Sequence, residues 1–424
     1  MDAVRQSALL ILHEIDSQKA YMNILLTKKC REENFSGRDA AFLSELVKGT
    51  VRNRGYIDYI ISLYSSVKLK KISPWIMNIL RLGVYQLCFT DKIPVSAAVN
   101  ESVTLAKRYG HRSSSGFVNA VLRKISSVTL SDIPLPEDKV KMLSVKYSYP
   151  EWMVERFIDN FGDRAEEVLA EGNGHAPTVI RANTLKITAK ELYEKLSEYS
   201  ESISGNMIRI KKGISPEKLA GFSEGLFTVQ AEPFNLTAEI MELSPGMTVI
   251  DACAAPGGKT TYIAQLMKNE GTVWAFDIYE HKLKLINETS KRLGINIIKT
   301  GLHDASEPLS GVEAERILLD VPCSGLGIIR RRPDIKCNRE KEDHSLLQKQ
   351  IILNMAKNLK KGGIMVYSTC SIDRAENEDV IEYFLERNRD FHLIAFPGAE
   401  KGYRTFLPGE DNFDGAFICK LGRK

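Results

Sequence analysis

Along the first 127 residues, apolar side chains return every three or four positions, as in Leu9, Leu10, Leu12 and Ile15 and again in Ile57, Ile60, Ile61 and Tyr64. That spacing lines one face of a helix, so residues 3–127 are predicted to be helical throughout. Ser73-Pro74 reads as a cap with proline at the first helical position, opening a helix over 74–89, and another runs over 95–109 until Gly110 stops it. Residues 128–138 gather prolines and acids beyond Ile133 and are the predicted linker. The helical period resumes over 139–171, where Trp152, Met153, Phe157 and Phe161 are expected to pack a core. From Thr178 the pattern mixes. A strand in TVIRAN, a helix opened by the capping box Thr188-x-x-Glu191 and a strand over 207–210 make a small α+β unit.

Beyond about residue 232 the pattern changes to short apolar runs that each end in polar residues, with helical-looking segments between them. These runs are 248–251, 272–277 (TVWAFD), 297–304 (IIKTGLHD), 316–320 (RILLD) and 364–369 (IMVYST). Alternation of this kind predicts a parallel sheet whose ligands sit at the carboxyl ends of its strands. The stretch TVIDACAAPGGKTT, over 248–261, is read as strand, tight loop and helix start. Pro256, Gly257 and Gly258 let the backbone turn and approach a ligand closely, as a nucleotide-type cofactor loop requires. Asp277 follows the glycines by about twenty residues, the place from which an acid meets ribose hydroxyls in such folds.

The 424 residues suffice for two or three domains, divided here as 1–127, 139–231 and 232–424. A content of 43% hydrophobic and 26% charged residues is that of a soluble globular protein, and no run approaches the ~18 apolar residues that cross a bilayer. No membrane association is expected. Without a signal-peptide pattern, and with seven cysteines in no framework spacing, the chain is expected to be cytoplasmic with free thiols. There is no CxxC pair, so no metal site is expected.

Charge is uneven. Residues 1–130 carry 19 Lys and Arg against 10 Asp and Glu, a balance of +9, which leaves −5 for the rest of the chain. A basic module joined to a cofactor-binding one favours a polyanionic substrate, nucleic acid above all. Arg52, Arg54, Lys68, Lys70, Lys71, Lys107, Arg108, Arg112, Arg123 and Lys124 form either a phosphate-gripping face or ordinary surface charge.

Two cysteine motifs carry the candidate chemistry: Leu319 to Gly325 (LDVPCSG) and Tyr367 to Ser371 (YSTCS). Both follow predicted strands, so Cys323 and Cys370 are expected at the sheet edge that bears the cofactor loop. Cys30, Cys88, Cys337 and Cys419 read as inert small hydrophobes, and Cys253 as a compact lining residue of the loop.

DACAAPGGKT, LLDVPCSGLG, RRRPDIK and YSTCS together resemble the S-adenosylmethionine-dependent RNA cytosine-C5 methyltransferases, and GFVNAVLRKI over 116–125 resembles the NusB-type RNA-binding module. The combination is similar to the bacterial RsmB (Sun/Fmu) family, which methylates a cytosine of small-subunit (16S) ribosomal RNA. The resemblance spans nearly the whole chain. It implies an all-α NusB-like domain, a small α+β linker domain and a C-terminal α/β Rossmann-like class I methyltransferase. It also implies S-adenosyl-L-methionine as cofactor and small-subunit ribosomal RNA as partner; a monomer that does not act on DNA is expected. Two places depart from the family pattern. In VQAEP, over 229–233, Glu232 is expected to stand in for the family's acid, and in DGAF, over 414–417, one of two usual aromatics is absent.

The chemistry itself explains the residue types. Cytosine C5 is a poor nucleophile until a thiolate adds at C6, after which C5 can take a methyl group, and a further group must help remove the C5 proton so that the thiol is eliminated. By resemblance Cys370 is the nucleophile, Cys323 assists product release and Asp320 hydrogen-bonds the cytosine edge beside the methyl donor. Lys259 lowers a thiol pKa or orients the base. By resemblance too, Cys253, Ala254, Ala255, Pro256, Gly257, Gly258 and Lys259 wrap the methionine and ribose through backbone groups. Asp277 takes the ribose hydroxyls, and Asp304 the adenine amino group. Arg330, Arg331 and Arg332 are expected to hold phosphates near the target. The target base must leave its stack, so it should be unpaired. Two other readings remain: a noncatalytic RNA-binding assembly or antitermination factor, and a methyltransferase of another RNA or of DNA in which the Pro-Cys thiol attacks.

Overall fold

The computed structural model describes residues 2–18, 21–338 and 343–424. It divides into two compact units, Met1–Asn173 with Arg331–Lys341, and Gly174–Arg330 with Glu342–Lys424.

In the first unit the three-and-four periodicity becomes α1 (Ala3–Gln18), α2 (Met22–Glu32), α3 (Gly37–Arg52), α4 (Arg54–Tyr64), α5 (Pro74–Cys88), α6 (Val95–Tyr109) and α7 (Ser114–Ile125). Their inward stripes, with Leu9, Leu46, Ile60, Leu80 and Leu122 fully buried, merge into one core. Ser73 stands at the N-cap of α5 with Pro74 after it, but its side chain makes no capping hydrogen bond. Over 139–171 the single helical stretch is broken into α8 (Lys139–Tyr147), α9 (Glu151–Phe161) and α10 (Ala165–Gly172). Pro150 cannot continue a helix, and Gly162 takes a φ of +56° at the end of α9. Two of the cations proposed for a phosphate-gripping face turn inward instead. Arg54 pairs with Asp16 at 2.5 Å, beside Arg81, which bridges Asp16 and Asp58 at 3.0 and 2.7 Å. Burial pulls the Arg52 guanidinium below its ordinary range.

The second unit carries two sheets. The α+β part is a four-stranded antiparallel sheet of β1 (Thr178–Ala182), β2 (Ser200–Ser204), β3 (Met207–Ile210) and β4 (Phe227–Val229), in the order β2-β3-β1-β4. The predicted capping box opens α11 (Ala189–Lys195): Thr188 accepts from the Glu191 N–H, and the Glu191 carboxylate accepts from the Thr188 N–H at 2.9 Å. β2 and β4 escape the sequence reading because β2 is polar and mostly exposed and β4 has only three residues.

The large sheet runs β10-β12-β9-β8-β5-β6-β7, with β11 paired to β12. Its strands are β5 (Thr248–Asp251), β6 (Thr272–Asp277), β7 (Ile298–Leu302), β8 (Ala314–Asp320), β9 (Leu359–Thr369), β10 (Phe391–Leu393), β11 (Tyr403–Phe406) and β12 (Ala416–Arg423). β5 to β9 are parallel, as the alternation predicts, whereas β10, β11 and β12 are antiparallel additions. The sheet is therefore mixed. Strand order reverses at β5, whose neighbours are β6 and β8, so a crevice opens at its carboxyl end. α12 (Leu236–Glu239), α13 (Gly258–Leu266), α14 (Glu280–Leu293), α16 (Ser345–Met355) and α17 (Glu378–Arg387) belong to this unit, and α15 (Ile335–Asn338) to the first. Among the described residues no helix is long and apolar enough to cross a membrane.

Candidate active site

β5 hands the chain to α13 through residues 252–257. Gly257 has a φ of +99°, and a Cβ there would lie 3.3 Å from the Cα of Ile286, so this turn needs glycine. At Gly258 an added Cβ would meet nothing within 4 Å. It faces a cavity of about 260 Å³ lined also by Gln230, Phe234, Asp251, Cys253, Ala254, Ala255, Pro256, Lys259 and Asp320. Not every loop amide is free for a ligand, however: Ala254 N–H donates to Phe276 O and Gly257 N–H to Ala254 O, both at 2.8 Å. Contact with a cofactor at those two residues has to be by packing rather than by N–H donation.

Behind the loop lies Asp251, 1% exposed. Thr260 donates to its Oδ2 at 2.7 Å, its buried Oδ1 has no partner at full hydrogen-bond geometry, and the Cys253 N–H lies close enough to the carboxylate to favour its charged form. Burial pushes its carboxyl up to about 7, against the lowering effect of the Thr260 bond and with a further push from the Asp320 charge. Burial likewise raises the Cys253 thiol. From β1, fully buried Arg181 donates to Gly258 O at 2.9 Å and Thr261 Oγ1 at 3.2 Å and lies over the Tyr262 ring at 4.3 Å. The small sheet thereby fastens the start of α13.

Asp277 and Asp304 stand at the ends of β6 and just past β7. The Oδ1 of Asp277 accepts from Tyr279 N–H at 3.0 Å, with Lys282 Nζ 3.7 Å away. Asp304 is exposed and closes a local turn, accepting from the Ser306 hydroxyl at 2.7 Å and its N–H at 2.9 Å, which hold its carboxyl below the usual range. Neither acid lines the cavity that holds Asp251 and Asp320.

The two cysteine motifs meet because β8 and β9 are adjacent and parallel, with Asp320 in register with Ser368. Val321 N–H donates to Ser368 O, and the Ser368 hydroxyl to Asp320 Oδ1 at 2.9 Å. One turn further on, Cys323 Sγ and Cys370 Sγ are 2.8 Å apart, and Cys370 N–H donates to Cys323 Sγ at 3.2 Å. The shared hydrogen bond, then burial and the two neighbouring negative centres, raise the Cys323 thiol well above its ordinary range. Gly327 N–H donates to Cys370 O, and a Cβ on Gly327 would stand 2.1 Å from Gly415 O, so this close approach admits only glycine. Gly415, in the divergent DGAF stretch, is therefore the backbone against which the Cys323 loop rests.

Lys259 lies on the acid rather than on a thiol: its Nζ is 2.6 Å from Asp320 Oδ2 and 4.6 Å from the Phe234 ring centre. Glu232 does not reach this cavity, because its carboxylate pairs with Arg209 at 3.1 Å. Gln230 and Ala231 take its place in the lining. Arg330 also departs from expectation. At 4% exposure it donates to His175 O at 2.5 Å, Phe413 O at 2.9 Å and Asn412 Oδ1 at 3.0 Å, a packing role rather than a phosphate grip. Arg332 pairs with Asp334 at 2.8 Å and lies over the Tyr21 ring.

Sequence reasoning missed Glu376. Its buried carboxylate accepts from the Ser324 N–H at 2.9 Å and the Ser324 hydroxyl at 2.6 Å, and that hydroxyl also meets Ser371 at 3.0 Å. It ties the two cysteine loops together from behind. Nothing in the acid-rich run DRAENED singles out this acid among its neighbours, of which Asp373 is buried as well and Glu378 and Asp379 are half-buried. Removing it strands two donors, so Glu376→Ala is expected to lower unfolding free energy by about 1–3 kcal/mol, and Glu376→Gln, which keeps one acceptor, by less. Urea melts of both variants check this ordering; equal losses would mean the carboxylate is not what holds Ser324.

Burial raises the thiol of Cys88 to about 11 and pushes those of Cys337 and Cys419 up as well, as suits small hydrophobes. Among the described residues no group of His, Cys, Asp or Glu is arranged to hold a metal ion.

Residues 238–422 match the model of the family described as 16S rRNA methyltransferase RsmB/F. Residues 2–127 match the NusB family, and 149–207 the ferredoxin-like domain of RsmF/B-like methyltransferases. The chain is 36% identical to the probable ribosomal RNA small subunit methyltransferase B of Bacillus subtilis, over 100% of this chain and 99% of that one. Among solved structures, the crystal structure of PH0851 superposes with a TM-score of 0.84 at 26% identity, covering 100% of this chain and 99% of the other. A methyltransferase homolog from Pyrococcus horikoshii gives a TM-score of 0.61 at 28% identity, over 68% of this chain and all of that one.

Proposed function

The chain belongs to the RsmB/F family of rRNA small subunit methyltransferases, and from that premise we propose that it transfers a methyl group to C5 of an unpaired cytosine in 16S rRNA through a covalent Cys370–C6 adduct. The observation that carries the reading is the meeting of two free thiols, 2.8 Å apart, at the strand ends next to the Asp320–Lys259 pair and the β5 loop. A binding factor without catalysis has no use for that arrangement.

The β5 cavity suits S-adenosyl-L-methionine. It offers the open side of Gly258 and an unpartnered carboxyl oxygen on Asp251, and with Asp320 and Lys259 it can carry net negative charge to receive a cation. Residues 253–259 would hold the cofactor, with Asp277 on the ribose and Asp304 toward the adenine. When bound, S-adenosyl-L-methionine supplies an electrophilic methyl carbon. The chain's own residues do the rest. Lys259 holds Asp320 so that the carboxylate can accept from the cytosine edge. Cys323, whose thiol is held up, stays protonated at neutral pH and shares a hydrogen bond with Cys370 in which either sulfur can be the donor. In this reading Cys370 gives its proton to solvent and adds to C6 as the thiolate. On release, the C5 proton passes to Cys323 as the proton of Cys323 passes to the departing Cys370 sulfur, the C6–S bond breaks and the C5=C6 bond is restored.

In this reading residues 1–127 serve the RNA, 139–231 link and brace the loop, 232–424 do the chemistry, and the protein acts as a cytoplasmic monomer. Bisulfite sequencing of 16S rRNA from cells with and without the gene tests it. One protected cytosine should become convertible on deletion; an unchanged pattern would overturn the assignment. Asp277→Ala is expected to weaken S-adenosyl-L-methionine binding by about 1–3 kcal/mol, the cost of losing a charged acceptor. Calorimetry that finds unchanged affinity would remove Asp277 from the site.

A further inference from the structure

The cavity at the end of β5 is lined by one polar side chain that the steps of methyl transfer leave idle. Gln230 lies one residue past β4, where its N–H still pairs with Val179 O of β1 at 3.2 Å. Arg181, two residues further along β1, is bonded to Gly258 O, so the small sheet holds Gln230 fixed against the β5 loop. Gln230 is only 7% exposed, yet neither Nε2 nor Oε1 of its amide has a hydrogen-bond partner. A buried amide left bare costs free energy, and the large majority of buried polar atoms in folded proteins are paired. Two other buried glutamines differ from it. Gln265 has an equally bare amide but does not line the cavity, and Gln348 already donates to Pro322 O at 3.0 Å.

Its neighbours point to the ligand group that would satisfy it. Asp277 and Asp304, assigned above to the adenosine, lie outside the lining, which leaves the amino-acid end of the cofactor as the part to enter. That end carries an ammonium and a carboxylate. Asp251 and Gln230 are the buried part of the lining, whereas the Asp320 side chain, on the strand that leads to Cys323, is 29% exposed and is the acid left to meet the edge of a cytosine. For the ammonium the cavity supplies the Asp251 carboxyl. For the carboxylate its donors are few: Lys259 Nζ is held on Asp320, and the Ala254 and Gly257 N–H groups are spent on backbone carbonyls. Among the described side chains that line it, the Gln230 amide is the nitrogen donor left over. An amide also suits a zwitterion, because its nitrogen donates to a carboxylate while its oxygen accepts from an ammonium.

We propose that Gln230 holds the amino-acid end of S-adenosyl-L-methionine, with Nε2 on the carboxylate and Oε1 beside Asp251 on the ammonium, and so makes the site select ligands that keep both groups. The bare amide is then the free protein's half of a contact that the cofactor completes, and its burial makes that contact worth more than a surface hydrogen bond. The proposal rests on the cofactor reading above, and it adds to it a residue from the small sheet that reads the end of the ligand remote from the adenine.

The test titrates the full chain by calorimetry with three ligands that share the adenosine and the sulfur. S-adenosylhomocysteine has the whole amino-acid end, its decarboxylated form keeps only the amine, and methylthioadenosine lacks both groups. Gln230→Met, which keeps the length of the side chain without its polar atoms, should bind S-adenosylhomocysteine about 10- to 100-fold more weakly than wild type, the worth of a hydrogen bond to a charged group. Its affinity for methylthioadenosine should be unchanged. Gln230→Glu sets a charge against the ligand carboxylate, so it should lose still more for S-adenosylhomocysteine, yet bind the decarboxylated form at least as tightly as wild type does. A loss in Gln230→Met that is equal for S-adenosylhomocysteine and methylthioadenosine would mean that the amide only shapes the cavity, and it overturns the proposal. So does unchanged affinity for S-adenosylhomocysteine, with or without a raised KM for RNA that would place the amide on the base instead. If the wild type binds S-adenosylhomocysteine and methylates rRNA while Gln230→Met matches it, only this assignment fails; if the wild type binds none of the three ligands and methylates nothing, the cofactor reading fails with it.

Discussion

Cys370→Ala is expected to abolish both methyl transfer and any covalent RNA adduct, whereas Cys323→Ala should still attack, take the reaction through transfer and then stall with RNA attached. The asymmetry follows from the roles proposed for the two thiols. The two sulfurs are 2.8 Å apart, and the hydrogen bond between them, in which either can be the donor, together with burial raises the Cys323 thiol. A protonated thiol there can hand a proton to a departing sulfur. Loss of Cys370 removes the nucleophile, an effect of about a thousandfold or more by analogy with other covalent catalysts. Loss of Cys323 removes the group that exchanges protons during elimination, so the C6–S bond persists. The stalled species should appear as a slower band on denaturing gels and should require both S-adenosyl-L-methionine and Cys370. An adduct in Cys370→Ala but not in Cys323→Ala would reverse the roles and make the Pro-Cys thiol the nucleophile. Full activity without adduct in both would end the covalent scheme.

How much of this was legible in the sequence differs by residue. Periodicity yields the helical character of 3–127, with α5 and α6 bounded within it, and strands β5 to β9, because each has an apolar face or run long enough to show its period. It misses β10 and β11, which have three and four residues, and the antiparallel return of β12, because strand direction is not written in composition. The loop of β5 and the two cysteine motifs could be read since glycine and proline mark sharp turns and the cysteines are only seven. Positions decided by a long-range partner could not. Arg330 and Arg54 read as surface cations until carbonyls and Asp16 claim them. Lys259 reads as a group for the thiol or for the base until β8 brings Asp320 within 2.6 Å. Asp251 was visible only as the acid that ends a strand. Its burial, which makes it chemically unusual, depends on packing that no local pattern encodes.

Asp251 also sets the remaining large expectation, a cofactor affinity that climbs with pH. Its carboxyl is raised to about 7 by burial, so it is mostly neutral at pH 6 in the free protein. The folded value stands above the unfolded one, near 3.8, so its contribution to stability is full below about pH 4 and is lost as pH rises through 7. Asp251→Asn, which cannot ionise, should therefore unfold at a higher denaturant concentration relative to wild type at pH 8 than at pH 5. Binding runs the other way. The groups that share the cavity are Asp320, which opposes ionisation of Asp251, Lys259, which favours it, and the protonated Cys253. A cation entering beside the unpartnered Oδ1 adds to the Lys259 side and draws the proton off. S-adenosyl-L-methionine affinity should then rise by up to about tenfold per pH unit between pH 5 and 7 and level off above, with about one proton released per cofactor bound at pH 6. Calorimetry in buffers of different ionisation enthalpy counts that proton directly. In Asp251→Asn the count should fall to zero, the profile should flatten, and affinity at pH 8 should drop well below wild type. A wild-type profile already flat from pH 5 to 8, with no proton released, would place the cofactor's positive charge away from Asp251.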